Sequence, residues 1–280
     1  MRLRVAWQIA LEAAGFSPGL IDGKLGRRTE LATRELQRSR GLPETGKLDA
    51  ATSVALGVDA TRAIKSYVVQ KEDLRQLGPV PRDWQAKSRL SRLGYPSLEE
   101  MLAEKFHCSK ALLRQLNPAK TILRLKAGES LLVPDVVAPG PVRGERIMID
   151  LSRKLVRVVD ASGRTLGLFH CSIAADRAKL PSGRASVAVI ARNPPYVFDP
   201  DTWPEVKGVR RKLVIPPGPR NPVGLCWIGL SLSGYGIHGS PSPELIGKTG
   251  SHGCIRLTNW DALRLGNMVR VGTPVTFLAS

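Results

Sequence analysis

The sequence predicts an α+β chain of several units: a three-helix N-terminal domain, a small mixed α/β segment and a β-rich sandwich or barrel at the C-terminal end. Three observations carry that expectation. Apolar residues recur at helical spacing near the start, a Pro/Gly-rich stretch (PDVVAPGPVRG) marks a linker over 135–144, and beyond it the spacing changes to alternation. With 280 residues and 42% hydrophobic content, the chain can build two or three cores of ordinary size but not one giant core.

In the first unit, expected over 1–60, Val5, Ile9 and Leu11 give helical periodicity from Arg4 to about Ala14, and Gly15-Phe16-Ser17-Pro18-Gly19 ends that helix. A second helix begins after Gly26 and stops at Gly41, and a short third runs from Leu48 or Asp49 to Leu56. The stretches GFSPGLIDGKLGRRT and LQRSRGLPETGKLD resemble the three-helix peptidoglycan-binding domain family. Asp22, Gly23, Gly26 and Thr29 read as turn and cap residues whatever the ligand.

The second unit, expected over 61–135, places Tyr67-Val68-Val69 at one end and Ser130-Leu131-Leu132-Val133-Pro134 at the other. Helical runs Ser97–Phe106 and Ser109–Leu116 lie between them. The order strand, helix, helix, strand is similar to a LysM module, a binder of N-acetylglucosamine polymers, so the segment is read either as a sugar binder or as a spacer. Glu72-Asp73 stands where such modules carry Gly-Asp, and an insertion with Pro79, Pro81 and Trp84 follows the first strand.

The third unit, expected over 141–280, opens with alternating Ile147, Ile149 and Leu151. The β-branched run Leu155–Val159 follows, then the turn Ser162-Gly163 into Thr165–Ile173. Short strands with such turns favour a sandwich or barrel. The linker predicts that the first and third units fold independently.

A net charge of +18, from 42 Lys and Arg against 24 Asp and Glu, calls for an anionic partner. The basic residues are spread along the chain, no zinc finger, basic zipper or RNP-like run appears, and aromatics are 5%. A polyanionic cell envelope fits such a charge as well as nucleic acid does, and no nucleic acid is expected. The longest stretch without a charged residue, Asn221 to Pro243, is rich in Gly, Pro and Ser and cannot be a lipid-facing helix. Gln8 and Glu12 interrupt the start, so no signal peptide is visible.

Four cysteines, Cys108, Cys171, Cys226 and Cys254, are too widely spaced for a disulfide framework, and at most one pair remains if Cys254 stays a thiol. Cys171 and His170, in an apolar run, read as core residues. The stretch IHGSPSPELIGKTGSHGCIRL differs: it gathers His238 and His252 around Cys254, the raw material of a thiol nucleophile with an imidazole base. A thiol with a pKa of roughly 8.5 needs such help at neutral pH. Ser251-His252-Gly253-Cys254 presents the thiol at a tight entry into the next segment, and the Gly253 and Cys254 amides are expected to face a developing oxyanion. Arg256, two residues on, shares the face of Cys254 if the segment is extended, and either positions that strand or pairs with a substrate carboxylate. Tyr235 offers a hydroxyl donor near the base. Zinc bound by His238, His252 and Cys254 is the rival reading. No HxxxE, HxH or CxxC spacing supports it, so neither metal nor cofactor is expected.

The pair HGS and SHGC-I-R resembles the catalytic motif of the L,D-transpeptidases of the YkuD family. Upstream, PSG at Pro181–Gly183, NPPY at Asn193–Tyr196, and PPGPRNPVG followed by GYGIHG extend the likeness over about the last half of the chain. The resemblance implies Cys254 as nucleophile, His238 as general base, and Ser251, His252 and Gly253 as the frame of the site. It implies a base oriented by the Gly239 carbonyl rather than by a carboxylate. The implied reaction is acyl transfer from a peptidoglycan tetrapeptide stem to an amine through a thioester, in the cell envelope. The partners would be stem peptides and possibly glycan. The alternatives are an L,D-carboxypeptidase, with water as acceptor, or a catalytically inactive wall-binding protein.

Overall fold

The computed structural model describes residues 1–203, 206–251 and 253–278. Helices α1 (Arg2–Ala13), α2 (Arg27–Ser39) and α3 (Ala50–Leu56) form the first unit. Buried Gln8 accepts from the Asp22 and Gly23 amides at 3.0 and 2.8 Å, so α1 itself holds the loop that leads to α2. Asp49 caps α3 through the Thr52 amide, and Gly57 ends it in the left-handed region at φ 60°.

The second unit comprises β1 (Ile64–Val68), α4 (Lys71–Arg75), α5 (Trp84–Ser88), α6 (Leu98–Lys105), α7 (Lys110–Leu116) and β2 (Ser130–Pro134). Strands β1 and β2 pair antiparallel, with Ile64 opposite Pro134. Ser97 and Ser109 cap α6 and α7. Asp73 is a structural residue: it accepts from the Gln70 amide and the Tyr67 hydroxyl and pairs with Lys105 at 2.8 Å. The sequence reading did not anticipate α4 or α5.

The third unit contains β3 (Arg146–Asp150), β4 (Leu155–Val159), β5 (Thr165–His170), β6 (Arg184–Arg192), β7 (Tyr196–Phe198), β8 (Leu213–Ile215), β9 (Cys226–Leu230), β10 (Gly236–His238), β11 (Ile255–Arg256), α8 (Asn259–Met268) and β12 (Pro274–Leu278). Eight strands form one sheet in the order β11-β10-β9-β6-β12-β3-β4-β5, while β7 and β8 pair separately. The sheet curls until its edges meet, because Ser172, just past β5, exchanges two 2.9 Å backbone hydrogen bonds with Arg256 of β11. Of the two expected architectures, a closing barrel describes it better than a sandwich. Ile147, Ile149, Val156, Val158 and Phe169 fill its core, covered by Ala262, Leu265 and Met268 of α8.

The first and third units pack against one another over a shared apolar cluster and a buried ion pair, contacts that the linker composition did not suggest. Strand β4 is buried along its whole length. Val156 and Val158 face the sheet core, whereas Leu155 joins Leu168 of β5 in a cluster with Trp7, Leu11, Phe16, Ala32 and Leu36 of the first unit. Arg157, between them, meets buried Glu35 of α2 through two hydrogen bonds of 2.7 and 3.0 Å, and Asp150 at 3.4 Å. The Ser17 amide and the Gly15 carbonyl pair with the backbone of Leu168, and the Ser17 hydroxyl donates to Asp261. Thus the run LVRVV is a strand covered on both faces, and its arginine is an interface residue.

Glu35→Ala leaves Arg157 buried without its bidentate partner and should cost about 3–5 kcal/mol, read as a lower urea midpoint at unchanged m-value. The pair Glu35→Leu with Arg157→Met should recover most of it. A loss under about 1 kcal/mol for Glu35→Ala would mean that the pair is solvated.

His170 is buried, and its Nε2 lies 3.2 Å from the Arg28 carbonyl, a contact between the first and third units. Burial, reinforced by the Arg28 charge, holds its pKa down to about 3 from 6.5. The unfolded chain therefore binds the extra proton between those values, so this contribution to stability is full above pH 6.5 and is lost as pH falls toward 3. His170→Gln should flatten the acid limb of a Tm-against-pH curve over that window; a limb of unchanged slope would contradict the assignment.

Candidate active site

The site is built on three adjacent strands. β10 runs antiparallel to β9, with Gly236 opposite Gly229, and parallel to β11, with Ile237 opposite Ile255 and His238 opposite Arg256. Ile237 and Ile255 are in the sheet core at 0% and 1% exposure. Alternation therefore turns His238 and Arg256 to the other face, and Cys254 lies in the bend just before β11, with the Arg256 charge near enough to act on its thiol.

His238 is buried, and its Nδ1 lies 2.6 Å from the Gly239 carbonyl. A carbonyl only accepts, so Nδ1 carries the proton and Nε2 keeps its lone pair. Burial lowers the pKa to about 4; the Gly239 hydrogen bond opposes this and the Arg256 charge adds to it. The imidazole is therefore neutral at pH 7. Trp227 stacks on it, with centroids 5.7 Å apart. Gly239 has no room for a side chain, since a Cβ there would lie 2.3 Å from Asn259 Oδ1. Asn259 in turn accepts from the Leu225 amide and donates to buried Glu104 of α6 at 2.8 Å, which joins the second unit to the back of the site.

Cys254 is half-buried, and its Sγ is 3.8 Å from the Gly234 carbonyl. Burial pushes its pKa up, while the Gly236 amide and the Arg256 charge act the other way. Cys108, Cys171 and Cys226 are fully buried and their thiols are also pushed up, Cys108 to about 12 and Cys226 to about 11. All four are free, so the one pair that the sequence allowed is not formed.

The Ser251 hydroxyl donates to the Cys254 carbonyl at 2.6 Å and accepts from the Gly253 amide at 3.2 Å, bracing the turn. This corrects one expectation: the Gly253 amide is engaged, whereas the Cys254 amide has no partner among the described residues. Space is open where a Gly253 Cβ would stand. One Arg256 nitrogen donates to Thr249 and to the Gly250 carbonyl, so the side chain clamps the loop that leads to Ser251. The Tyr235 hydroxyl donates to the Lys179 carbonyl at 3.1 Å, which commits the proton that the sequence reading offered to an oxyanion. His252 lies outside the described residues. Among the described residues no three His, Cys, Asp or Glu side chains converge as a metal site.

Sequence reasoning did not single out Tyr196, which the structure brings near Cys254. Its pKa is raised chiefly by burial, with Cys254 close enough to contribute, and its hydroxyl accepts from Trp203 Nε1 at 3.1 Å, which leaves its own proton to donate. NPPY, noted only as part of a resemblance, was the available signal. The β7–β8 ribbon carrying Tyr196 rests on the insertion of the second unit: Trp84 of α5 stacks on Phe198 at 4.2 Å, and Leu93, Leu213 and Ile215 complete that cluster.

The family profile for the L,D-transpeptidase catalytic domain matches residues 144–277, and that for a putative peptidoglycan binding domain matches residues 3–56. The chain is 28% identical over 177 residues to the putative L,D-transpeptidase YkuD of Bacillus licheniformis, covering 63% of this chain and 91% of that protein. It is 31% identical over 140 residues to the putative L,D-transpeptidase YqjB of Bacillus subtilis, covering 48% and 72%. Among solved structures, an L,D-transpeptidase from Xylanimonas cellulosilytica aligns over 98% of this chain and 92% of that one, at 17% identity and a TM-score of 0.39. With the L,D-transpeptidase match over its third unit, a putative peptidoglycan-binding match over its start and the likeness to YqjB, this chain belongs to the YkuD family of L,D-transpeptidases.

Proposed function

We propose that Cys254 is the nucleophile of a peptidoglycan L,D-transpeptidase and that His238 is its general base. The observation that carries this is a neutral imidazole on β10, its Nδ1 proton spent on Gly239 and its Nε2 without a partner among the described residues, beside the strand that the half-buried thiol of Cys254 immediately precedes. With the thiol raised and the imidazole depressed, the resting pair is uncharged, so proton transfer accompanies attack. Cys254 Sγ bonds to the stem carbonyl as its proton passes to His238 Nε2. The C–N bond to the terminal D-amino acid then breaks, and His238 returns the proton to the departing amine. An amine of a second stem attacks the thioester next, releases the thiol and forms the cross-link; water in its place makes the enzyme a carboxypeptidase. The thioester conserves the energy of the cleaved bond, so the transfer asks for no cofactor.

Among the described residues, the Cys254 amide and the Tyr196 hydroxyl are the donors we assign to the tetrahedral oxyanion, each removing a share of the barrier. Ser251 and Gly253 shape the turn, and Arg256 positions the loop before it. The first unit supplies contact with peptidoglycan, and the cell envelope is where this substrate is met. The second unit, with its LysM-like order, acts here as a brace through Glu104 and Trp84.

Incubation with a purified tetrapeptide stem should give, by mass spectrometry, an acyl-enzyme on Cys254, a free D-amino acid and a cross-linked product. Cys254→Ala should give none of these while keeping its fold; turnover by Cys254→Ala would overturn the nucleophile.

Acylation of Cys254 by a carbapenem should fall in acid as His238 takes its proton, with a midpoint near 4. His238→Gln should acylate about 10²- to 10⁴-fold more slowly and lose that limb. A midpoint near 6.5 would place the base in a solvated setting, against the burial described above.

A further inference from the structure

A cleft of about 510 Å³ lies between the first and third units, away from Cys254. Lys24, Arg27 and Arg28 line one side, and Arg153, Lys154 and Lys248 line the other. Asp22 is the acidic residue among its walls, and it is already occupied by Gln8 and the Lys24 amide. Arg153 has only a 3.9 Å approach to Asp150, while Lys24, Arg27 and Lys248 have no ion pair among the described residues. Six cations facing one another across a cleft repel, and that repulsion falls when an anion enters. Both walls are fixed by contacts that do not need a ligand. Arg28 donates to the Ile246 carbonyl and His170 meets the Arg28 carbonyl, so the cleft stands preformed.

The floor of the cleft is also tied to the site. Lys154 donates to the Gly247 carbonyl at 3.4 Å, and the Gly247 amide donates to Ser172, whose backbone is paired with Arg256. An occupant therefore rests against the loop that continues to Ser251 and Cys254.

We propose that this cleft is an anion subsite for the carboxylates of neighbouring stem peptides on the polymer that Cys254 attacks; the proposal rests on the function given above. A polymer held there keeps further stems at high local concentration near the thiol. This assigns part of the +18 charge to a place.

The test uses the full chain and fluorescein-labelled soluble glycan chains bearing tetrapeptide stems, followed by anisotropy. Arg27→Ala with Lys248→Ala should weaken binding about tenfold, and with a shallower salt dependence. Arg27→Lys with Lys248→Arg should retain it. Chains with amidated stem carboxylates should bind parent and double-alanine variant alike. Equal binding of the carboxylate chains by parent and variant would overturn the subsite, as would preferential capture of a glycerol-phosphate polymer. Carbapenem acylation of Cys254 in the parent separates the two readings. Its presence alongside equal chain binding sinks the cleft alone, and its failure sinks the transpeptidase chemistry while the anisotropy still reports on the cleft.

Discussion

The proposed catalytic arrangement depends on one parallel pairing, Ile237 of β10 against Ile255 of β11. Both side chains belong to the sheet core, so hydrophobic burial fixes which face each neighbour takes. Slippage by one residue would turn His238 into the core and the isoleucines toward solvent. The distance along the chain between His238 and Cys254 thus matters less than the register, which the core enforces. The edge contact between Ser172 and Arg256 then prevents β11 from fraying, as it otherwise would at the end of a sheet.

Around that pairing, polar contacts between units do what apolar packing alone does not: they fix orientation. The Arg157–Glu35 pair and the Asn259–Glu104 hydrogen bond are both buried, where an unpaired group is costly and a displaced one has no water to turn to. Burial of Glu104 raises its pKa, and the donors Asn259 and Tyr95 oppose that shift. The Leu, Phe and Trp cluster beside Arg157 tolerates sliding, whereas a bidentate ion pair does not.

Much of this was legible in the sequence because local chemistry controlled it. The helix starts at or near Asp49, Ser97 and Ser109 and the alternation at Ile147 and Ile149 each report a nearby constraint, while the part of the Gly239 carbonyl came from the family likeness. The misreadings concern contacts across long separations. Arg157 sits in a run that looks like any buried strand, and only the arrival of α2 gives it a partner. The linker composition at 135–144 signalled an unstructured connection and said nothing of the surfaces on either side. Tyr235 and Tyr196 are both tyrosines close to glycine- or proline-rich turns. Which one keeps a free proton depends on the Lys179 carbonyl in one case and Trp203 in the other, and sequence spacing encodes neither.

The insertion around Trp84 looked like a blemish in the second unit, an interruption of a compact module. Its indole instead forms the floor beneath a ribbon that belongs to the third unit. For the history of such chains this has a cost. A recombination event cutting at the linker would carry away a catalytic half whose ribbon had lost its aromatic support, and would leave behind a module with an exposed tryptophan. The pieces can be recognised separately along the sequence, yet each completes a surface of the other.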